Sequence, residues 1–160
     1  MNLNYLAFFL ISFLPLIIGY FWYAENAPMK KVIGYAGSLK RKWTIGMLAF
    51  AFLLSFTLVY GYINLIIHQM GFYELFFTDI MKGSEEAKQI TVDFLSKYGD
   101  KHRHFGHGIF HGIINAFVFG IPFIAWITIA ENNGKKFFIY HFTYCLITSA
   151  IIGGLISEFV

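Results

Sequence analysis

The sequence predicts an all-α membrane protein, with four transmembrane helices in two hairpins and a short amphipathic helix in the loop between the hairpins. Hydrophobic residues occupy 58% of the 160 positions, and charged residues only 13%. Water-soluble domains carry about 25% charged residues. We therefore expect a bilayer to surround most of these side chains, and the whole chain, residues 1–160, to form a single domain.

Four apolar segments provide the predicted spans. They cover residues 3–23, 43–68, 105–130 and 137–157, and none of them contains Asp, Glu, Lys or Arg. Crossing the hydrocarbon as a helix takes about 20 residues, and a charge at its centre would cost at least about 2.5 kcal/mol. The first segment lacks the basic leader of a secretion signal and is longer than a signal's apolar core, so we expect an uncleaved anchor.

Basic residues next to the spans predict the orientation. The first and third connections are rich in lysine and arginine: Lys30, Lys31, Lys40, Arg41, Lys42, Lys135 and Lys136. Such loops stay in the cytoplasm. Both termini and the long second connection, residues 69–104, are then expected on the outer side. Aromatic residues typical of membrane interfaces lie near the inferred inner boundary: Trp22, Trp43, Trp126 and Tyr140.

Two similar stretches predict an internal duplication. AENAPMKKVIGY follows the first span and AENNGKKFFIY follows the third, and a proline, Pro15 or Pro122, lies at a similar depth in each span. Two parallel hairpins related by an axis along the membrane normal would explain the match. Helix ends attract these residue types in any case, so chance similarity explains it equally well. Each proline either breaks its helix beside a binding site or produces a tolerated kink.

The second connection contains a helix signal. Ser84 is a candidate N-cap, Glu85 and Glu86 occupy the first turn, and Gly99 can end the helix. Apolar residues recur between these limits at helical spacing. We expect an amphipathic helix that covers the apolar ends of the spans, and a lid over the bundle would have the same sequence pattern.

A polar stripe follows the third span. If a continuous helix starts near residue 104, a rotation of about 100° per residue places four side chains on one side: His104, His107, His111 and Asn115. His102 points elsewhere in this arrangement. An imidazole or amide that faced lipid without a partner would cost several kcal/mol. The stripe is therefore expected to face protein or a water-filled cavity.

A stripe of small residues runs beside the polar one. Its members are spaced by four: Gly108, Gly112, Ala116 and Gly120. This pattern lets membrane helices approach closely, so the third span is expected to pack tightly against a partner. Small residues in the fourth span indicate that it meets the third closely: Ser149, Gly153, Gly154 and Ser157.

The histidines are candidate metal ligands. His68, at the end of the second span, lies at a level comparable with His104, His107 and His111. Neutral imidazoles bind zinc, copper or iron, and a haem would need two axial ligands such as His68 and His111. No cysteine or carboxylate joins the set, so hydrogen bonding between helices is the competing explanation. A second polar group, expected to hydrogen-bond between helices, lies on the fourth span: Tyr140, His141, Tyr144 and Cys145.

Several motifs occur in a distinctive order along nearly the whole chain. They are IIGYFWY, INLIIHQMG, VDFLSKYGD, KHRHFGHGIFHGIINAFVFGIPFI and KKFFIYHFTYCLITSAIIGGLIS. In this order they resemble a bacterial membrane protein family known as domain of unknown function 1761. The first connection departs from that pattern, because it lacks a Phe-Gly and a Trp near its start. The resemblance implies four helices in the bacterial cytoplasmic (inner) membrane, and it implies no activity, substrate or catalytic residue.

The leading interpretation is a non-enzymatic helix bundle that acts through helix-helix association, as a homo-oligomer or as a small subunit of a membrane complex. It predicts no cofactor and no catalytic residue. Expected partners are the lipid bilayer and a membrane protein or a second copy, but not nucleic acid. Two alternatives stay open. One is a small carrier or channel along the polar stripe, and the other is a histidine-ligated metal or haem protein.

Overall fold

The structure, a computed structural model, describes residues 3–36 and 44–160. The regular secondary structure within these ranges is entirely helical, and no strand occurs there. The elements are α1 (Tyr5–Ile11), α2 (Leu14–Trp22), α3 (Pro28–Ile33), α4 (Ile45–Ile66), α5 (His68–Met81), α6 (Glu85–Tyr98), α7 (Phe105–Asn115), a π-helix (Ala116–Gly120), α8 (Ile121–Ala130) and α9 (Lys135–Phe159).

Four helical stretches are long and apolar enough to cross a membrane, as predicted. They are Tyr5–Trp22, Ile45–Ile66, Phe105–Ala130 and Lys135–Phe159. Only 11% to 39% of each apolar window is buried inside the chain. Apolar surface exposed to this extent suits hydrocarbon rather than water. Several residues of the predicted inner boundary lie outside the described ranges: Lys40, Arg41, Lys42 and Trp43.

Helix α9 is the central element of the bundle, and it contacts α1, α2, α4, α7 and α8. Ile152 and Ile156 of α9 are completely buried and pack with Val59 and Ile63 of α4 and with Ile11 of α1. The spans therefore surround the fourth one, whose small and branched side chains fill the core.

Each end of the bundle is named here after its side chains. The histidine end holds His68 and His107, and the tyrosine end holds Tyr23 and Tyr140. Both termini lie at the histidine end, since the Asn4 amide donates to the Val160 carbonyl oxygen over 3.2 Å, close to where α9 meets the start of α7. Asn4 and Val160 therefore lie at the same end of the bundle. The side of the membrane on which this end lies stays a prediction.

The small residues of the third span pack against α9 of the same chain. A Cβ atom built on Gly108 would lie 2.0 Å from the Gly153 carbonyl oxygen, and one on Gly112 would lie 2.1 Å from the Ser149 carbonyl oxygen. Ala116 is 1% exposed. The predicted close packing of the third and fourth spans is confirmed. The stripe does not, however, offer a free face to a second protein, because α9 already covers it.

Both proline-containing spans depart from a regular α-helix. A turn at residues 12–13 separates α1 from α2, and Pro15 lies in the first turn of α2. In the third span the π-helix Ala116–Gly120 precedes α8, and Pro122 lies in its first turn. A proline has no N–H to donate to the preceding turn, which favours such irregularities just before it. The third span is nevertheless one continuous helical stretch, Phe105–Ala130. The internal duplication and the two hairpins stay predictions.

The second connection contains two helices rather than one. Helix α6 confirms the prediction, because the Ser84 Oγ accepts from the Ala87 amide over 3.2 Å and Gly99 follows the last helical residue. Helix α5, which we did not predict, packs beside α6 through stacked rings of Phe72 and Phe94, whose centroids are 4.0 Å apart. The described second span consequently ends at Ile66, and His68 begins a new helix.

Candidate metal centre

Three of the four predicted histidines gather at the histidine end. His68, His107 and His111 each offer a ring nitrogen, and these nitrogens all lie within 4.8 Å of one another. His107 and His111 are four residues apart on α7, so they share a face of that helix. His68 approaches this face from the start of α5. Side chains from two separate elements thus form one cluster.

The distances within the cluster suit a single small ion. The Nε2 atoms of His68 and His107 are 3.3 Å apart. Two nitrogens bound at about 2.0–2.1 Å to a tetrahedral zinc ion lie about 3.4 Å apart. The His111 ring lies 4.5 Å from that of His107 and 4.9 Å from that of His68, centroid to centroid. All three nitrogens lie within 4.8 Å of one another, so ligation of one ion by all three would draw the rings closer together.

Two features of the second connection position His68. Ile67 is extended, with φ −87° and ψ 93°, which ends α4 and turns the chain into α5. Its side chain is 2% exposed and anchors this turn in the core. The next residue after His68, Gln69, is also buried, and its Nε2 donates to Asp100 Oδ1 over 3.1 Å. The start of α5 is therefore tied to the segment that leads into α7.

The other two histidines of this segment differ from their predicted positions. His104 is the N-cap of α7, with φ −151° and ψ 155°, and its Nδ1 accepts from the His107 amide over 3.2 Å. His104 is not part of the three-histidine group. It is extended and precedes α7, so the rotation of about 100° per residue does not place its side chain on the face of His107 and His111. His102 does not point away from the group. Its ring stacks on that of His107 at 5.3 Å, with an angle of 26° between the planes.

A carboxylate at the start of α7 has a structural partner. Glu158, in the last turn of α9, accepts a hydrogen bond from the Phe105 amide over 2.8 Å through its Oε2. A negative charge at a helix N-terminus stabilises the unpaired amides there. Glu158 thus fixes the first turn of α7, the turn that carries His107.

The cluster is open to solvent on one side and fits an ion better than a haem. His68 is exposed, while His107 and His111 are half-buried. Three histidine ligands leave a fourth position on a tetrahedral ion for water or another small ligand. A haem held by two of these histidines would need their imidazoles on opposite faces of a flat macrocycle. The ring centroids of His68 and His111 are only 4.9 Å apart, which is too close for a macrocycle to lie between the rings.

The second predicted polar group joins the first and fourth spans at the tyrosine end. Tyr144 donates to the Pro15 carbonyl oxygen over 2.8 Å, and Tyr140 donates to the carbonyl oxygen of Trp22. The hydroxyl of Tyr23 lies 3.0 Å from Nδ1 of His141. Tyr140, His141 and Tyr144 thus make the expected hydrogen bonds between helices, whereas the Cys145 Sγ lies 4.0 Å from the Ser149 Oγ of the same helix. His141 lies at the end opposite the histidine cluster.

Asn115, the last member of the polar stripe, is separate from the histidines. It is the final residue of α7, it is 7% exposed, and it lines a cavity in the middle of the bundle. The described lining of that cavity includes no histidine. The structure thus divides the stripe into an ion-sized cluster at the end of the bundle and a buried amide inside it.

Comparisons with known proteins add no functional assignment. No protein-family model, curated protein or solved structure matches the chain. The functional argument therefore depends on the geometry of the chain itself.

Proposed function

We propose that this protein is an integral membrane helix bundle that binds one divalent transition-metal ion at its histidine end, with His68, His107 and His111 as ligands. The supporting observation is the gathering of three imidazole nitrogens, from two helices, within 4.8 Å. Imidazole is a preferred ligand of zinc, copper, iron and nickel. The proposal takes up the metal-binding alternative with three of its four histidines. His104 is left out of the ligand set, because its side chain caps α7.

Hydrogen bonding alone explains this cluster less well. A neutral imidazole has one donor and one acceptor nitrogen, so the 3.3 Å contact of His68 and His107 can hold one proton between them. The ring of His111 then brings a further nitrogen into the same small space. Lone pairs that face one another repel unless a cation lies between them. A bound metal ion would satisfy all three nitrogens together.

We further propose, from the sequence motifs alone, that the chain belongs to the family of domain of unknown function 1761 and lies in a bacterial inner membrane. With the orientation predicted from the basic loops, the metal centre would face the outer aqueous space. Self-association or assembly into a membrane complex is still proposed as well. It would have to use a surface other than the small-residue stripe, which α9 covers.

The carrier alternative receives less support than the metal centre. It requires a continuous polar path along α7, and within the described residues the cavity at Asn115 has no histidine in its lining. A carrier would therefore need a second conformation in which His111 and Asn115 share one space.

Metal titration of purified protein tests the proposal directly. The full chain, without a polyhistidine tag, is stripped with a chelator in detergent and titrated with Co²⁺, whose visible spectrum reports four-coordinate nitrogen ligation. We expect one ion per chain, displaced by Zn²⁺. Loss of second-shell groups alone lowers metal affinity about 10- to 100-fold, so replacing a ligand should lower it at least about 100-fold.

Two variants separate ligation from general effects on the segment. His107→Asn removes a proposed ligand, whereas His104→Asn removes a neighbouring imidazole and keeps a good N-cap for α7. We expect the first variant to lose Co²⁺ binding and the second to retain it. Equal affinities for the two variants, or no stoichiometric binding by the unmodified chain, would refute the metal centre.

A further inference from the structure

The middle of the bundle contains a cavity of about 580 Å³. Its walls come from α4, from the π-helix with α8, and from α9. Sites for small molecules typically have volumes of about 300–1,000 Å³ and mostly apolar walls. Leucine and phenylalanine side chains on the rim are exposed, among them Leu54 at 54% and Phe123 at 70%. The cavity therefore opens sideways, toward the lipid that would surround the spans.

Two buried polar groups in this cavity have no hydrogen-bond partner among residues 3–36 and 44–160. They are the Nδ2 atom of Asn115, a residue 7% exposed, and the Oγ1 atom of Thr148, a residue 3% exposed. Within the spans, Thr57, Thr128 and Thr143 instead donate to the carbonyl oxygen four residues earlier. An amide N–H₂ without a partner is unfavourable in a nonpolar environment. Asn115 and Thr148 thus bring two unpaired polar groups to the wall of an apolar cavity.

The backbone that follows Asn115 departs from a regular α-helix where it lines the cavity. The π-helix begins at the next residue, Ala116, and two of its members, Phe119 and Gly120, line the cavity. Single π-helical turns within membrane and soluble helices frequently mark functional sites, because they alter the direction of the side chains that follow. A Cβ on Gly120 would lie 2.7 Å from the Cys145 Sγ, so a larger residue would crowd this wall.

We propose that this cavity binds a neutral, lipid-soluble molecule whose carbonyl oxygen accepts a hydrogen bond from Asn115. The described part of the lining contains no Asp, Glu, Lys, Arg or His that would neutralise a charged headgroup. The free Nδ2 is a donor, which selects an acceptor such as a carbonyl. Leucine and phenylalanine on the walls suit an alkyl or aromatic body. This inference is independent of the metal centre, which lies at the end of the bundle.

Photolabelling with 4-decylbenzophenone tests the inference. This probe is a neutral diaryl ketone, and its carbonyl inserts into nearby C–H bonds on illumination. The metal-free full chain is labelled in phosphatidylcholine vesicles, and the modified peptides are identified by mass spectrometry. We expect saturable labelling of the α4 and α8 walls. An excess of a long-chain dialkyl ketone should suppress it, whereas the alkane of equal length should not.

Paired variants show whether the label reports the cavity. Gly61→Leu fills the cavity from α4, and Gly46→Leu adds the same side chain on the same helix outside the cavity. Among the described residues, a Cβ at either glycine meets no atom within 4 Å. Asn115→Leu removes the donor, with Asn64→Leu as its control on the exposed surface of α4. We expect saturable labelling to fall about tenfold in Gly61→Leu and Asn115→Leu, and to persist in the controls.

Three results would overturn the inference. The first is unsaturable labelling spread over all lipid-facing residues. The second is equal labelling of Gly61→Leu and Gly46→Leu, which would place the probe elsewhere even if Asn115→Leu failed to fold. The third is equal competition by the alkane and the ketone, which would show that the buried amide does not recognise a carbonyl.

Discussion

Replacing Gly112 with alanine should separate α7 from α9 and destabilise the bundle. The new Cβ would lie 2.1 Å from the Ser149 carbonyl oxygen, whereas ordinary contacts of such atoms begin at 3.4 Å. The difference, about 1.3 Å, has to be made up by movement of one helix, since the obstructing atoms belong to the backbone of α9. Overpacking of this kind costs about 1–3 kcal/mol, and we expect the upper end because no side chain can rotate away.

The free energy of unfolding can be measured in mixed micelles, with denaturing detergent as the variable and circular dichroism as the signal. Gly61→Ala is the matched control, because Gly61 lies inside α4, as Gly112 lies inside α7, and a Cβ there meets no described atom within 4 Å. An alanine in an exposed helix is up to about 1 kcal/mol more favourable than a glycine. The control therefore measures the gain in helix propensity that Gly112→Ala also receives, and the difference between the variants reports the clash.

Equal stability of the two variants would refute the reasoning. It would mean that Gly112 does not contact the backbone of α9, and the small-residue stripe would again be available for contact with a second protein. Measurements at high dilution in micelles strengthen the test. A clash within one chain destabilises the protein at any concentration, whereas a lost contact between chains has its effect only where the chains associate.

Two further predictions concern the histidine end. Metals bind neutral imidazole, and free imidazole has a pKa of about 6.5. Below that pH the affinity for Co²⁺ should fall by up to about a thousandfold per pH unit, because each of three imidazoles must release a proton on binding. An affinity that did not depend on pH would exclude histidine ligands. Ser84→Ala should destabilise the start of α6 by about 1 kcal/mol, because the Ala87 amide loses its hydrogen-bond acceptor. Amide hydrogen exchange should then be faster in the first turn of α6 and unchanged in α9. Unchanged exchange in that turn would show that Ser84 is not the cap.

Hydrophobicity and capping residues predicted much of the fold. The four spans, the helix that starts after Ser84 and the close packing at Gly108 and Gly112 all follow from short-range patterns. These patterns are informative because each has a local cause: the thickness of the bilayer, an unpaired amide at a helix start, and the absence of a side chain at a contact. The identity of the contacting helix is a tertiary property, and the stripe alone did not distinguish α9 from another protein.

The histidine cluster was only partly predictable for the same reason. Residues four apart on one helix share a face, so His107 and His111 belong together in any helical arrangement. The place of His68 depends on the extended backbone at Ile67, for which the apolar sequence around it gives no signal. The positions of His102 and His104 depend on where α7 begins, and helix ends are the least certain part of a sequence-based assignment.

The small-residue stripe also determines where the polar stripe points. Gly108 and Gly112 bring the α7 backbone into contact with α9, and such contact leaves little freedom to rotate α7 about its axis. The neighbouring face must then turn toward the space beside α9, where His107 and His111 meet His68 and where Asn115 enters the cavity. A larger side chain in the stripe would displace the histidines from His68 and the amide from its cavity together. Gly108 and Gly112 are therefore required for the geometry of both proposed sites, although neither of them lines either site.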